Sequence, residues 1–192
     1  LSSAQTLVDN ASLVFTVPEG SATALAGGEI AIRAFLSFTG TPSGVEMVTI
    51  TPVNATSIYD VAGNAMAASQ TTGAKTLNDK VIPTITSVSL AANNSTIAVT
   101  FSESVYNTNG GSGALDSADF AFSITGGAAT LSSATPTSIS ISGNVYTLGI
   151  GLSGTPNGSE TLTVKPVANS IYDASGNAVL VDQKVAISVT LN

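Results

Sequence analysis

Two stretches of this chain spell the same text in the same order. Gly40-Thr41-Pro42-Ser43-Gly44, followed by Glu46, returns as Gly154-Thr155-Pro156-Asn157-Gly158, followed by Glu160, at an offset of 114 residues. Pro52-Val53 returns as Pro166-Val167. Ser57-Ile58-Tyr59-Asp60-Val61-Ala62-Gly63-Asn64-Ala65 returns as Ser170-Ile171-Tyr172-Asp173-Ala174-Ser175-Gly176-Asn177-Ala178, with one residue fewer in the loop before it. Thr76-Leu77-Asn78 returns as Thr190-Leu191-Asn192. Ordered matches at a near-constant offset mark a tandem array. Arrays supply reach or repeated surface more readily than one unique catalytic pocket.

The repeat is long enough for a compact module with its own core. It divides the 192 residues into an incomplete first copy, 1–79, and a complete second copy, 80–192. An apolar share of 43% supports folding even though only 9% of residues are charged. The net charge of −7 argues against nucleic acid and anionic membrane as partners, since both select basic surfaces. Cysteine, histidine and tryptophan are absent. The chain therefore has no disulfide, no thiolate or imidazole metal site and no histidine-based triad. Carboxylate, Lys or Tyr chemistry remains, together with oxygen ligands for a hard cation such as calcium. No segment has the roughly 20 apolar residues that span a bilayer. The N-terminus carries neither Met nor a signal pattern and reads as that of a mature or internal fragment.

The hydrophobic period is two almost throughout. Ile97, Val99 and Phe101 alternate with small or polar residues, as do Phe120, Phe122 and Ile124. Ile139 and Ile141 sit between serines. Tyr146, Leu148, Ile150 and Leu152 share one face, as do Leu162 with Val164, and Val185 through Leu191. Such alternation places one face in a core and the other in water, as in antiparallel sheets. Asn-Gly, Gly-Gly, Thr-Pro and Ser-Gly punctuation separates the runs. No stretch carries a 3.6 period with helix caps. The expected fold is all-β, with Greek-key β-sandwiches of about seven strands in each copy.

The first copy offers Leu13-Phe15-Val17, then Ile30 through Phe38, then Val48 and Ile50. Nothing in it matches Ile85–Leu90 or Thr96–Phe101, so it reads as lacking its two opening strands. Either the chain is a piece of a longer protein, which is the preferred reading, or a neighbour donates the missing strand. Asp79-Lys80-Val81-Ile82-Pro83-Thr84 joins the copies. It is short, and its Pro favours extended backbone before it, which suits two modules stacked end to end.

Val99-Thr100-Phe101-Ser102-Glu103-Ser104-Val105, followed by Ile171-Tyr172-Asp173-Ala174-Ser175-Gly176-Asn177-Ala178, resembles the bacterial immunoglobulin-like repeats of surface-layer proteins and large adhesins. The first phrase is similar to their V-x-F-S-E-x-V strand and the second to their D-x-x-G-N turn. The likeness covers residues 81–192 well and 40–79 fairly; residues 1–39 depart from it. It implies a seven-stranded extracellular sandwich that acts as a spacer or adhesive module and is not an enzyme. The implied partners are neighbouring repeats or subunits, or a surface glycan or protein.

Asp60, Gly63 and Asn64, and likewise Asp173, Gly176 and Asn177, have the chemistry of a tight turn. Asp accepts from backbone N–H groups ahead of it, and Gly and Asn tolerate positive φ. The competing reading makes Asp173 and Asn177 calcium ligands, joined by Glu103 and by Asp79 of the linker. Asp116 and Asp119 could act as an acid–base pair, but they are better placed to cap a short turn. Tyr59 and Tyr172 are expected to bury their rings and turn the hydroxyl to backbone or water. Gly110-Gly111-Ser112-Gly113 has no Lys and no helix after it, so it is no phosphate loop. Asn10, Asn54, Asn93, Asn94 and Asn157 fit the glycosylation pattern, which arises easily by accident in so Asn/Ser/Thr-rich a chain. No residue is assigned to catalysis.

Overall fold

A computed structural model describes residues 5–6, 11–14, 35–56, 63–182 and 188–191. The chain divides into two compact units, Leu1–Lys80 and Val81–Asn192. The strands of both are antiparallel, and the only helix among the described residues is a single 3-10 turn. None is long and apolar enough to cross a membrane.

In the first unit β1 (Gln5–Thr6), β2 (Ala11–Val14) and β3 (Phe35–Phe38) form one sheet in that order. β4 (Met47–Val48) pairs with β5 (Lys75–Thr76). Phe15, Val17 and Ile30–Ala34, expected to be in strands, lie outside the described residues.

The second unit has β6 (Ile85–Leu90), β7 (Thr96–Phe101), β8 (Phe120–Thr125), β9 (Thr130–Leu131), β10 (Ile139–Ser142), β11 (Val145–Gly149), β12 (Leu152–Ser153), β13 (Thr161–Pro166) and β14 (Ser188–Thr190). Seven of these have three or more residues; β9 and β12 are a two-residue pair that periodicity is too short to reveal. One sheet runs β10-β11-β7-β6 and the other β14-β13-β8. Their inward residues form one core. Ile97 and Val99 of β7, Leu148 of β11, and Leu162 and Val164 of β13 are all 0% exposed. Two sheets that bury alternate side chains against each other make a sandwich-like unit. Phe101, Tyr146 and Phe120 bridge the sheets. Phe101 meets Tyr146 edge-on at 5.4 Å, and Phe120 lies 6.3 and 6.4 Å from the two. The Tyr146 hydroxyl donates to the Val105 carbonyl at 3.2 Å. Burial raises its pKa, because a phenolate would lose water there.

The sequence repeat carries a repeated backbone. Met47 pairs with Thr76 and Val48 with Lys75; Thr161 pairs with Thr190 and Leu162 with Val189, the same register 114 residues later. The Leu77 N–H donates to the Glu46 carbonyl at 2.8 Å, and the Leu191 N–H to the Glu160 carbonyl at 3.0 Å. Gly40 and Gly154 take φ of +97° and +84°, and Gly63 and Gly176 both take +86°, where a Cβ would be strained. The copies differ in enclosure. Leu162 and Val164 are fully buried, while at the matching positions Val48 is 8% exposed and Ile50 is half-buried.

Leu162→Ala should therefore cost about 2–5 kcal/mol, and Met47→Ala, at a side chain 62% exposed, at most about 0.5 kcal/mol. Denaturant midpoints followed by far-UV circular dichroism check this; equal losses would contradict it.

Candidate functional site

Glu103, Tyr172, Asp173, Gly176 and Asn177 gather at a turn in the connection between β13 and β14. Tyr106 and Tyr172 exchange backbone hydrogen bonds at 2.7 and 2.8 Å and set the base of that turn. Asp173, 1% exposed, then folds the chain around its carboxylate. Oδ1 accepts from the Ser175 and Asn177 N–H groups, both at 2.8 Å, and Oδ2 accepts from Asn177 Nδ2 at 2.7 Å. Asn177 Nδ2 also donates to the Val81 carbonyl at 3.2 Å, so the turn grips the first residue of its own unit. Gly176 is required twice. Its φ is positive, and a Cβ there would run into the Asn109 side chain. At Gly111 a Cβ would meet Ala174 Cα at 2.9 Å, which presses the 107–113 loop onto the turn. The Tyr172 ring is half-buried and its hydroxyl donates to the Asn169 carbonyl at 2.8 Å. In the first copy Asp60 and Tyr59 lie outside the described residues; Gly63 keeps its φ of +86° and Asn64 is exposed.

Among the residues named as calcium ligands, Glu103 and Asp173 each place a carboxylate oxygen within 4.8 Å of the other's. Asn177 turns its amide N–H toward Asp173, which is the polarity of a hydrogen-bond donor. Asp79 belongs to the first unit, where its Cβ lies 3.2 Å from the place a Cβ on Gly44 would occupy. Asp173 accepts three hydrogen bonds, two at Oδ1 and one at Oδ2, and these build the turn.

Asp116 and Asp119 form a capping box around the 3-10 turn Ser117–Asp119. Asp116 Oδ1 accepts from the Ala118 N–H at 2.7 Å and Asp119 Oδ2 from the Asp116 N–H at 2.8 Å. Burial raises the Asp119 pKa against the lowering by the Asp116 N–H. Both carboxylates are aimed at backbone, not at a shared substrate position.

One group of comparable weight received no role from the sequence. Glu160 is 0% exposed. Its carboxylate accepts from the Ala128, Ala129 and Asn157 N–H groups at 2.8 to 3.2 Å. The Ala129 N–H leads in lowering its pKa to about 2, with Asn157 and Ala128 adding to it against the cost of burial. A Cβ on Gly127 would collide with this carboxylate. The signal was present in the repeat itself. Glu46 occupies the same place in the first copy and accepts from the Ser43 N–H at 2.8 Å and the Ser43 hydroxyl at 2.9 Å. The Ser43 backbone bond likewise leads in lowering its pKa. A carboxylate held at one position of two copies, in a chain with 12 Asp and Glu, marks a shared backbone clamp.

Comparison with family models, with curated proteins and with solved structures finds no match for this chain.

The Glu160 pKa lies below its unfolded value near 4.5, so its contribution to stability is complete above pH 4.5 and fades as pH falls toward 2. Glu160→Gln should lower the melting temperature at pH 7 and flatten the acid-side decline between pH 4.5 and 2; an unchanged acid profile would contradict the clamp. Calcium offers a second check. With the Asp173 oxygens already accepting three hydrogen bonds, the melting temperature is expected to be the same in chelator and in millimolar calcium. A rise of several degrees in calcium would instead make the Glu103–Asp173 pair a ligand set.

Proposed function

We propose that this chain is a structural spacer, a tandem Ig-like, Greek-key β-sandwich segment of a secreted bacterial cell-surface protein such as an adhesin, a surface layer or an extracellular filament. The observation that carries the reading is the recurrence of one set of backbone contacts in both copies. The Glu46 and Glu160 carbonyls take the Leu77 and Leu191 N–H groups, and their carboxylates take the Ser43 and Asn157 N–H groups. Repetition of a self-contained fold adds length without adding chemistry. The carboxylates of the second unit support the same conclusion. Asp116, Asp119, Asp173 and Glu160 all hold backbone N–H groups, an investment in loop geometry. The spacer works mechanically, each copy resisting extension through its own strand pairs. It needs no resident cofactor, and its partners are neighbouring repeats or subunits.

A second reading, an adhesive module that binds glycan or protein, is favoured by the apolar exposure of the first unit. Val45, Met47 and Val53 are 76, 62 and 62% exposed. A glycan array probed with this chain separates the two. The spacer reading expects no saturable binding up to tens of micromolar; saturable micromolar binding to one glycan class would replace it with the adhesive reading.

A further inference from the structure

Strand β10 ends its sheet. Among the described residues its one neighbour is β11, with Ile139 opposite Leu148, Ser140 opposite Thr147, Ile141 opposite Tyr146 and Ser142 opposite Val145. The Ser138 carbonyl accepts from the Gly149 N–H at 2.9 Å, so Ser138 turns its backbone toward β11. In an antiparallel ladder that orientation alternates, so Ser140 and Ser142 do the same while Ile139 and Ile141 aim their N–H and C=O groups outward from the sheet. Proteins guard such an edge with Lys, Pro, a bulge or an inward charge. A bulge, with Thr137 and Ser138 both bonded to Gly149, marks the entrance to the strand, but Ile139–Ser142 itself carries no guard. Residues 120–159 contain no Asp, Glu, Lys or Arg, and Pro136 precedes the strand. Ile139 packs against the core margin and Ile141, on the same face, is 46% exposed.

The residues of this edge also say what fits it. Ser138-Ile139-Ser140-Ile141-Ser142 reads the same in both directions. Laid antiparallel on a copy of itself about Ser140, it sets Ser opposite Ser and Ile139 opposite Ile141. In that register the outward N–H and C=O groups of Ile139 meet those of Ile141 of the other copy. The core-side face gains an Ile–Ile contact that covers Ile141. A two-fold axis through Ser140 is the symmetry an isologous contact requires. Charge at the edge does not oppose this occupant. Each chain carries −7, so two copies meet with least repulsion along a charge-free strand.

We propose that β10 is a strand-addition edge at which two copies of this chain pair antiparallel about Ser140, joining their sheets into one. The pairing would link spacers side by side. It does not depend on the spacer reading, because it rests on the second unit alone.

The test is sedimentation velocity of the 192-residue chain across a concentration series, with Ser140→Lys and Ser140→Glu variants. Residue 140 is exposed and faces solvent, so both variants should keep the wild-type melting temperature. Wild type is expected to shift toward dimer as concentration rises. Each variant alone places like charges face to face at the axis and should dimerise at least about tenfold more weakly. An equimolar mixture of the two should recover association as a heterodimer, since only the proposed register brings residue 140 against itself. A wild type that stays monomeric up to millimolar concentration would overturn the proposal. So would dimerisation that both variants leave unchanged, or variants that weaken it without recovery on mixing.

Discussion

A chain without cysteine must close its sheets by packing, and in the second unit one constraint sets how. Every second residue of β7, β8, β11 and β13 has to face the same narrow space. Ile97, Val99, Leu148, Leu162 and Val164 reach zero exposure only because the two sheets present their apolar faces to each other. Phe101, Phe120 and Tyr146 fill the middle, where an aliphatic side chain would leave a gap that costs stability in proportion to its volume. The loops are then placed by the strand ends, and their polar groups must find partners at those fixed positions.

Carboxylates provide those partners. A turn that leaves the strand ladder has N–H groups with no carbonyl opposite, and an ionised carboxylate is a strong acceptor for them. Asp173 closes the turn between β13 and β14, Asp116 and Asp119 close the 3-10 turn, and Glu160 ties the 126–129 loop to the Asn157 turn. At Glu160 the backbone donors lower the pKa to about 2, so this carboxylate stays ionised and serves as an acceptor. The acidic composition of the chain is thus partly a loop-building device.

Much of the architecture was legible in the sequence because β-structure writes its period directly into residue order. Ile97-Val99-Phe101 and Leu162-Val164 lie inward as their alternation required, and the absence of helical periodicity matches a described fold whose one helix is a three-residue 3-10 turn. The repeat at an offset of 114 was legible as text, and it returns as strand register. What was not legible involves contacts between residues far apart in the chain. Glu160 meets Ala128 and Ala129 more than thirty residues away; the repeat marks the glutamate but does not name these partners. β9 and β12 pair over two residues each, too few for any period to show. The turn residues lay between these extremes. Asp173, Gly176 and Asn177 could be named from their types, but which N–H groups Asp173 would hold depended on where Ser175 and the Asn177 amide pointed.

The two copies of the repeated text share one backbone pairing, Met47–Thr76 and Thr161–Thr190. Residue-resolved amide hydrogen exchange tests this most directly, at the Leu77 and Leu191 amides. Both donate to the carbonyl of a repeated glutamate, at 2.8 and 3.0 Å. Both should exchange far more slowly than the exposed amides of their own unit. A Leu77 amide that exchanges at the rate of an unstructured chain while Leu191 stays protected would contradict it.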